Sequence, residues 1–302
     1  MDPYEAEAGK IPPTDLYYDL PLYGRYNPSP QDFKPLEEYC NSNTQEALQC
    51  WTEVLEKCDS TCYVYQNPFG GRDVFALGSI IVVKSCHLGT RDAGSESSRD
   101  YSIADKNEVT AVQLVPNTVP APRILFSGKL KGKDVIIQER IPGVALNVAW
   151  PYLSPAQKAS FKEQTQKMIA ELSAVQPPST VLEPTYIVSD PNPIVNRDIS
   201  SSESAILFSD CSERRSRKLD FMHNDLQPSN IIVRNDQIVG IVDWAHAGWF
   251  HWDDVGAVHS QFRTPRREDF AGAQLSEEEL DDLEYWGDLY AFGPSDSSMC
   301  SK

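Results

Sequence analysis

Four residues between Phe221 and Phe250 carry side chains suited to phosphate chemistry: His223, Asp225, Asn230 and Asp243. Mg²⁺ prefers hard oxygen donors in near-octahedral geometry, commonly one or two carboxylates completed by substrate phosphates. An aspartate not committed to metal can accept the proton of an attacking hydroxyl. The stretch reads FMHNDLQPSNIIVRNDQIVGIVDWAHAGWF. Ile231, Ile232 and Val233 form one apolar run. Ile238, Val239, Ile241 and Val242 form another, and Asn235-Asp236 between them reads as a turn, so the pattern predicts a hairpin. It starts directly after Asn230 and releases Asp243 from its far strand. Hairpin ends lie close together, which brings Asn230 and Asp243 within reach of one ion. Asp225 lies on the loop entering the hairpin, where Pro228 disfavours a regular helix or central strand. A lone Asp-x4-Asn would be an ordinary surface turn. Loop, hairpin and second aspartate together point to chemistry.

Other elements must bring partners to these groups. Tyr63–Tyr65, Val74–Leu77 and Ile80–Val83 read as strands. The Asn67–Gly71 turn has glycines whose backbone N–H groups could approach phosphates, although a plain hairpin turn fits equally well. No G-x-G-x-x-G and no Walker A motif occurs. Lys84 ends the run Ile-Ile-Val-Val-Lys, which sets its stem on a buried sheet face or rim; a solubilising lysine on an edge strand is the plainer reading. Residues 103–115 read as a helix carrying Glu108. A buried lysine needs a counter-charge, so Glu108 is expected to pair with Lys84, the alternative being an ordinary solvated glutamate. Asp134–Gln138 reads as a strand, and Glu139-Arg-Ile-Pro-Gly143 as a boundary between two lobes.

Ser154-Pro-Ala-Gln157 is a capping-box start for a helix to about residue 175. Residues 177–218, rich in Pro, Ser and Asp, are expected to be a long loop or partly disordered. Ser276-Glu-Glu-Glu279 caps a last helix to about residue 290. Nearer the start, residues 35–58 read as helix in two pieces broken at 41–43. Residues 1–35 read as an extended arm, with Leu16–Tyr23 docking on the body by its aromatics.

On these residues the sequence resembles a family. His223-Asn-Asp225-Leu-Gln-Pro-Ser-Asn230 is similar to the catalytic loop H-G-D-x-x-x-x-N of aminoglycoside phosphotransferase-like and choline kinase-like small-molecule kinases. Ile241-Val-Asp243-Trp244 with Ala247-Gly248-Trp249 resembles the family's I-D-W-x-x-A-G segment. Asn224 departs from the usual Gly, at a position that need not touch the reactants. Val119-Pro-Ala-Pro122 resembles a P-x-P segment, Asn107-Glu108 an N-E pair, and Glu139–Gly143 the E-x-x-x-G hinge. The resemblance spans roughly Tyr63 to Asp254. It implies an α+β, two-lobed protein kinase-like fold, its N-lobe (36–138) an antiparallel sheet with one main helix. The hinge is 139–143 and the C-lobe, 144–302, is mostly helical.

The implied cofactors are ATP and Mg²⁺, and the implied reaction is phosphoryl transfer to a small-molecule hydroxyl. Asp225 would be the base and His223 a brace for its loop. Asn230 and Asp243 would bind metal, and Lys84, held by Glu108, would bind the α- and β-phosphates. Gln138, Glu139 and Ile141 would meet the adenine through their main chain. Trp249, Trp252, Asp253 and Asp254 follow the metal ligand, and aromatic faces and acids there could hold an alkylammonium acceptor. Acidic capping of a helix start explains them as well. Two other readings keep the fold: a catalytically silent nucleotide-binding pseudokinase, and a Ser/Thr protein kinase. The second lacks an A-P-E signature and an activation loop.

The 302 residues hold 27 basic and 44 acidic side chains, a formal charge of −17. That balance argues against nucleic acid or an anionic membrane as partner, and permits a cationic small molecule. No apolar run approaches the roughly 20 residues of a membrane span. The acidic, polar start MDPYEAEAGK resembles neither a signal nor a transit peptide. Seven cysteines with no C-x-x-C fit free thiols in a reducing cytoplasm. His246, His251 and Asp253 have no common zinc spacing.

Overall fold

A computed structural model describes residues 11, 13–19, 24–66, 71–85, 99–208 and 218–293. Chain order begins with β1 (Arg25–Tyr26), α1 (Gln45–Glu56), β2 (Tyr63–Gln66), β3 (Arg72–Leu77), β4 (Ile80–Ser85) and α2 (Tyr101–Leu114). β5 (Ile124–Leu130), β6 (Lys133–Glu139), β7 (Gly143–Ala145), α3 (Leu146–Ala149) and α4 (Pro155–Ser173) follow. The rest comprises β8 (Thr185–Tyr186), α5 (Pro193–Asn196), α6 (Ser201–Leu207), β9 (Asp220–Met222), β10 (Ile231–Arg234), β11 (Gln237–Ile241), β12 (Gly248–Phe250), α7 (Trp252–Val258) and α8 (Glu277–Glu284).

The first lobe is an antiparallel sheet ordered β2-β3-β4-β6-β5. Alternation along each strand gives it two apolar faces. Phe75, Ile80, Val82 and Ile137 pack with Trp51 and Val54 of α1 on one side. Val83, Ile124 and Ile136 pack with Val109 and Val112 of α2 on the other. The second lobe is mostly helical around a core that includes Phe161, Ile169, Phe221, Trp244 and Phe250. The expected α+β, two-lobed arrangement is the one found. α4 starts on the expected box: Ser154 accepts from the Gln157 N–H while the Gln157 side chain takes the Ser154 N–H.

Two expectations change. Residues 177–208 are not featureless: β8, α5 and α6 sit there, with Tyr186, Arg197 and Glu203 buried. Local periodicity misses them because each element is too short to show one. Residues 209–217 lie outside the described residues, as do the 67–70 part of the expected glycine turn and residues 91–98. The last helix ends at Glu284, not near 290, and the chain then turns so that Trp286, Leu289 and Tyr290 are buried. The arm docks by one of its expected aromatics, Tyr17, which packs on the second-lobe core; residues 20–23 lie outside the described residues. Leu16 is 84% and Tyr18 46% exposed. Polar anchoring comes from Asp15, paired with Arg25 at 2.7 Å and bonded to Tyr152, and from Tyr17, which accepts from Asn147 at 3.1 Å. β1 then pairs with β7, joining a second sheet ordered β1-β7-β10-β11.

His259 fixes the C-terminal turn, its Nε2 2.9 Å from the Trp286 carbonyl. Burial holds its pKa down at about 4, with the Trp286 bond opposing. A histidine neutral when folded and chargeable when unfolded contributes stability that is complete above the unfolded value. That stability is lost as pH falls through about 6.5 towards 4. Taking the protein from pH 7 to pH 5 is therefore expected to cost about 2 kcal/mol at this residue. Urea midpoints of wild type and His259→Gln, measured at both pH values, should show the gap between the two proteins narrowing by that amount at pH 5.

Candidate active site

β9 delivers the chain into the loop, where His223 is fully buried. Its Nε2 lies 3.0 Å from the Val242 carbonyl, and its Nδ1 accepts the Asp225 N–H at 3.3 Å. Trp244 meets its ring edge-on at 4.6 Å. The carbonyl partner requires the proton on Nε2, and burial lowers the pKa, which keeps the ring neutral. His223 thus ties the backbone before Asp243 to the loop of Asp225. Asn224 has φ +61°, the left-handed region, where glycine is easiest and asparagine among the few tolerated alternatives.

Both Asp225 oxygens are engaged. Oδ1 accepts from Gln227 Nε2 at 2.8 Å and lies 2.9 Å from Arg263 Nε. Oδ2 accepts from Asn230 Nδ2 at 3.0 Å, and the same amide nitrogen donates to the Asp225 carbonyl at 2.9 Å. With its NH₂ committed, Asn230 has Oδ1 left to offer a ligand. The hairpin forms as read: Ile231 pairs with Ile241, and the Val242 N–H donates to the Asn230 carbonyl at 2.9 Å. Asp243 then leaves with φ +61° and ψ +64°, a strained conformation of the kind functional sites retain. Its Oδ1 is buried with no hydrogen-bond partner. A buried carboxylate oxygen without a donor is costly unless a cation reaches it, so the pair fits Mg²⁺ completed by phosphates and water. Among the described residues no group of three or more His, Cys, Asp or Glu side chains could hold a metal alone.

A cavity of about 840 Å³ lies between the first sheet, the inter-lobe segment and the hairpin end. Asn230 and Asp243 line it at one end and Gln138, Glu139 and Ile141 along another wall. Asp225 sits one hydrogen bond below, beneath Asn230. Glu108 also lines the cavity, and its Oε2 pairs with Arg72 Nη2 at 3.1 Å. Burial and the nearby Asp243 raise the Glu108 pKa, and Arg72 opposes them. Lys84 lies in β4, opposite Asp73 and Val135. Its side chain lies outside what the structure describes.

Trp249, Trp252, Asp253 and Asp254 do not line the cavity. Trp249 is in the core, Trp252 donates to the Tyr290 carbonyl at 3.0 Å, and Asp254 is buried in α7. Asp253 is exposed in the first turn of α7. Large aromatics close to a site bury as core at least as readily as they serve it.

Three supports escaped the sequence reading. Arg263 lies on a π-helical turn, His259–Arg263, and links Asp225 to Glu203 of α6. Arg72 meets Glu108 and, at 3.4 Å, Asp105. Fully buried Asn107 donates to the carbonyls of Trp244 (3.3 Å), Ala245 (3.0 Å) and Ala247 (2.9 Å), and accepts the Val188 N–H at 2.8 Å. It clamps the turn after Asp243 to α2. Only Asn107 had a local signal, its place beside Glu108. Asn107→Leu should cost about 3 kcal/mol, because carbonyls and an N–H are left buried without partners. Its urea midpoint measures this.

The sequence matches the family described as "APH: Phosphotransferase enzyme family" over residues 106–291. The chain belongs to the phosphotransferase enzyme family. The match holds Glu108, the inter-lobe segment, the Asp225 loop and Asp243, and leaves Arg72 and Lys84 outside it. Among solved structures, the chain is similar to a streptomycin–ATP–APH(2'')-IIa ternary complex at 13% identity, over 71% of this chain and 75% of that one, TM-score 0.45. A thermostable mutant of aminoglycoside phosphotransferase APH(4)-Ia in its apo form gives 13% identity, 83% and 92%, and 0.47. Aminoglycoside phosphotransferase APH(3'')-Id from Streptomyces rimosus gives 13%, 82% and 99%, and 0.42. With TM-scores below 0.5 these likenesses carry no weight; the membership rests on the family match. No curated protein matches the sequence.

Proposed function

We propose that this protein transfers the γ-phosphoryl group of ATP, with Mg²⁺, to the hydroxyl of a small molecule. The observation that carries this reading is that Asp225 is hydrogen-bonded to Asn230, while Asn230 and Asp243, at the two ends of one hairpin, line the same cavity of about 840 Å³. Asp225 would orient the acceptor hydroxyl and take its proton as the oxygen bonds to phosphorus. Asn230 and Asp243 would hold Mg²⁺, which neutralises charge on phosphate oxygens. The main chain of Gln138, Glu139 and Ile141 would meet the adenine. His223 would keep loop and hairpin in register. An alkylammonium acceptor loses its support, because Trp249, Trp252, Asp253 and Asp254 do not line the cavity. No helix among the described residues is long and apolar enough to cross a membrane. A reducing cytoplasm, expected from the cysteine spacing, is part of this reading.

One observation favours the silent pseudokinase: both oxygens of Asp225 are already engaged, one of them by Arg263. Incubation with ATP, Mg²⁺ and a panel of sugars, amino alcohols and other alcohols, read by mass spectrometry, separates the readings. A phosphorylated acceptor that disappears with EDTA supports the kinase. ATP binding without any product supports the pseudokinase, and phosphate on protein supports a protein kinase.

A further inference from the structure

We propose, resting on the ATP-dependent reading above, that Arg72 is the cation that binds the nucleotide's phosphate chain, with Glu108 and Asp105 holding it in place. Strand pairing carries the first part of the case. Val74 is opposite Val83, and Arg72 opposite Ser85. Residues directly opposite in an antiparallel pair share a face. Arg72, Val74, Ile81 and Val83 all line the cavity, so this face is the cavity wall. Phe75 and Val82, the pair between them, belong to the core against α1. Position 84 falls in the register set of Ile80 and Val82, and position 72 in that of the wall.

Electrostatics carries the second part. Glu108 is 2% exposed and forms an ion pair with Arg72. Asp105 lies 3.4 Å from the same Nη2. Two buried acids thus grip one nitrogen of the guanidinium, and its Nε is buried without a partner. Asp243 acts on the Arg72 charge as well, which puts the guanidinium within electrostatic range of the metal ligand. A planar fork pinned at one nitrogen, facing a cavity with a metal pair at its end, matches phosphate oxygens better than a flexible ammonium would. The glutamate on α2 would then hold a phosphate-binding cation, Arg72, in place.

The test measures affinity for ADP and for adenosine in wild type and Arg72→Gln by calorimetry. An arginine that binds phosphates predicts that ADP affinity falls about 10- to 100-fold while adenosine affinity stays within about twofold. An arginine that only ties β3 to α2 would weaken both ligands equally or neither, and either result overturns the proposal. If wild type binds ADP and adenosine but Arg72→Gln matches it, only this proposal falls. If wild type binds no adenine nucleotide, the ATP-dependent reading falls with it. Should the variant not fold, wild type treated with phenylglyoxal and mapped by mass spectrometry decides. ADP, and not adenosine, should protect Arg72; equal labelling with both overturns the assignment.

Discussion

Asp225→Asn is expected to lower kcat by about 10³-fold while ADP affinity stays within about threefold of wild type. The substitution keeps the size of the side chain and removes the charge that takes the acceptor proton. Its contacts tell what else will change. Oδ2 accepts from Asn230 and Oδ1 from Gln227, and an asparagine can keep one of these acceptors but must present NH₂ to the other donor. Arg263 would lose one of its two carboxylate partners and keep Glu203. A modest drop in stability should therefore accompany the loss of turnover. Steady-state kinetics with the identified acceptor, beside calorimetric ADP titration, checks both halves. Unchanged kcat would remove Asp225 from the chemistry.

The second large effect comes from Asp243→Asn. On the proposed reading turnover should fall about 10³-fold, because an anionic ligand of the proposed Mg²⁺ becomes neutral. The ligand-free protein should nonetheless melt about 2–4 °C higher. Asp243 Oδ1 is buried without a donor, and its charge is one cause of the raised pKa of Glu108. Asparagine tolerates the left-handed backbone at this position. Removing the charge relieves a repulsion that exists for the sake of a cation. Calorimetric melting and kinetics on the same sample measure the trade. A lower melting temperature with full activity would show that Asp243 is structural.

The parts of the site legible in the sequence are those whose geometry is local. Asp225, Asn230 and Asp243 lie within one loop and hairpin, so residue types, a turn signal and two apolar runs placed them relative to each other before any tertiary structure was considered. His223 belonged to the same motif. Arg72 with Glu108 and Arg263 with Glu203 could not be found that way. Their partners are 36 and 60 residues apart, and only the packing of sheet on α2 and of α6 on α7 brings them together. The surroundings of Lys84 were harder to read for a related reason. A β-branched run says that a strand is buried, but which alternate positions face the cavity depends on how neighbouring strands pair. Residues 249–254 were read equally as a ligand face and as a capped helix start, and the second lobe takes Trp249 and Trp252 into its core. The short β8, α5 and α6 gave no periodic signal, so Arg197 and Glu203 were hidden in a stretch read as irregular.

The ladder β1-β7-β10-β11 carries one more consequence. β7 is the first strand after the inter-lobe segment, and it bonds directly to β10, which begins one residue after Asn230. A base held at that segment and a phosphate held at Asn230 would be spaced by adjacent hydrogen-bonded backbones, about 5 Å per strand, with no flexible tether between them. The molecule in effect carries a ruler, fixed at folding, for the length from nucleobase to phosphate tail.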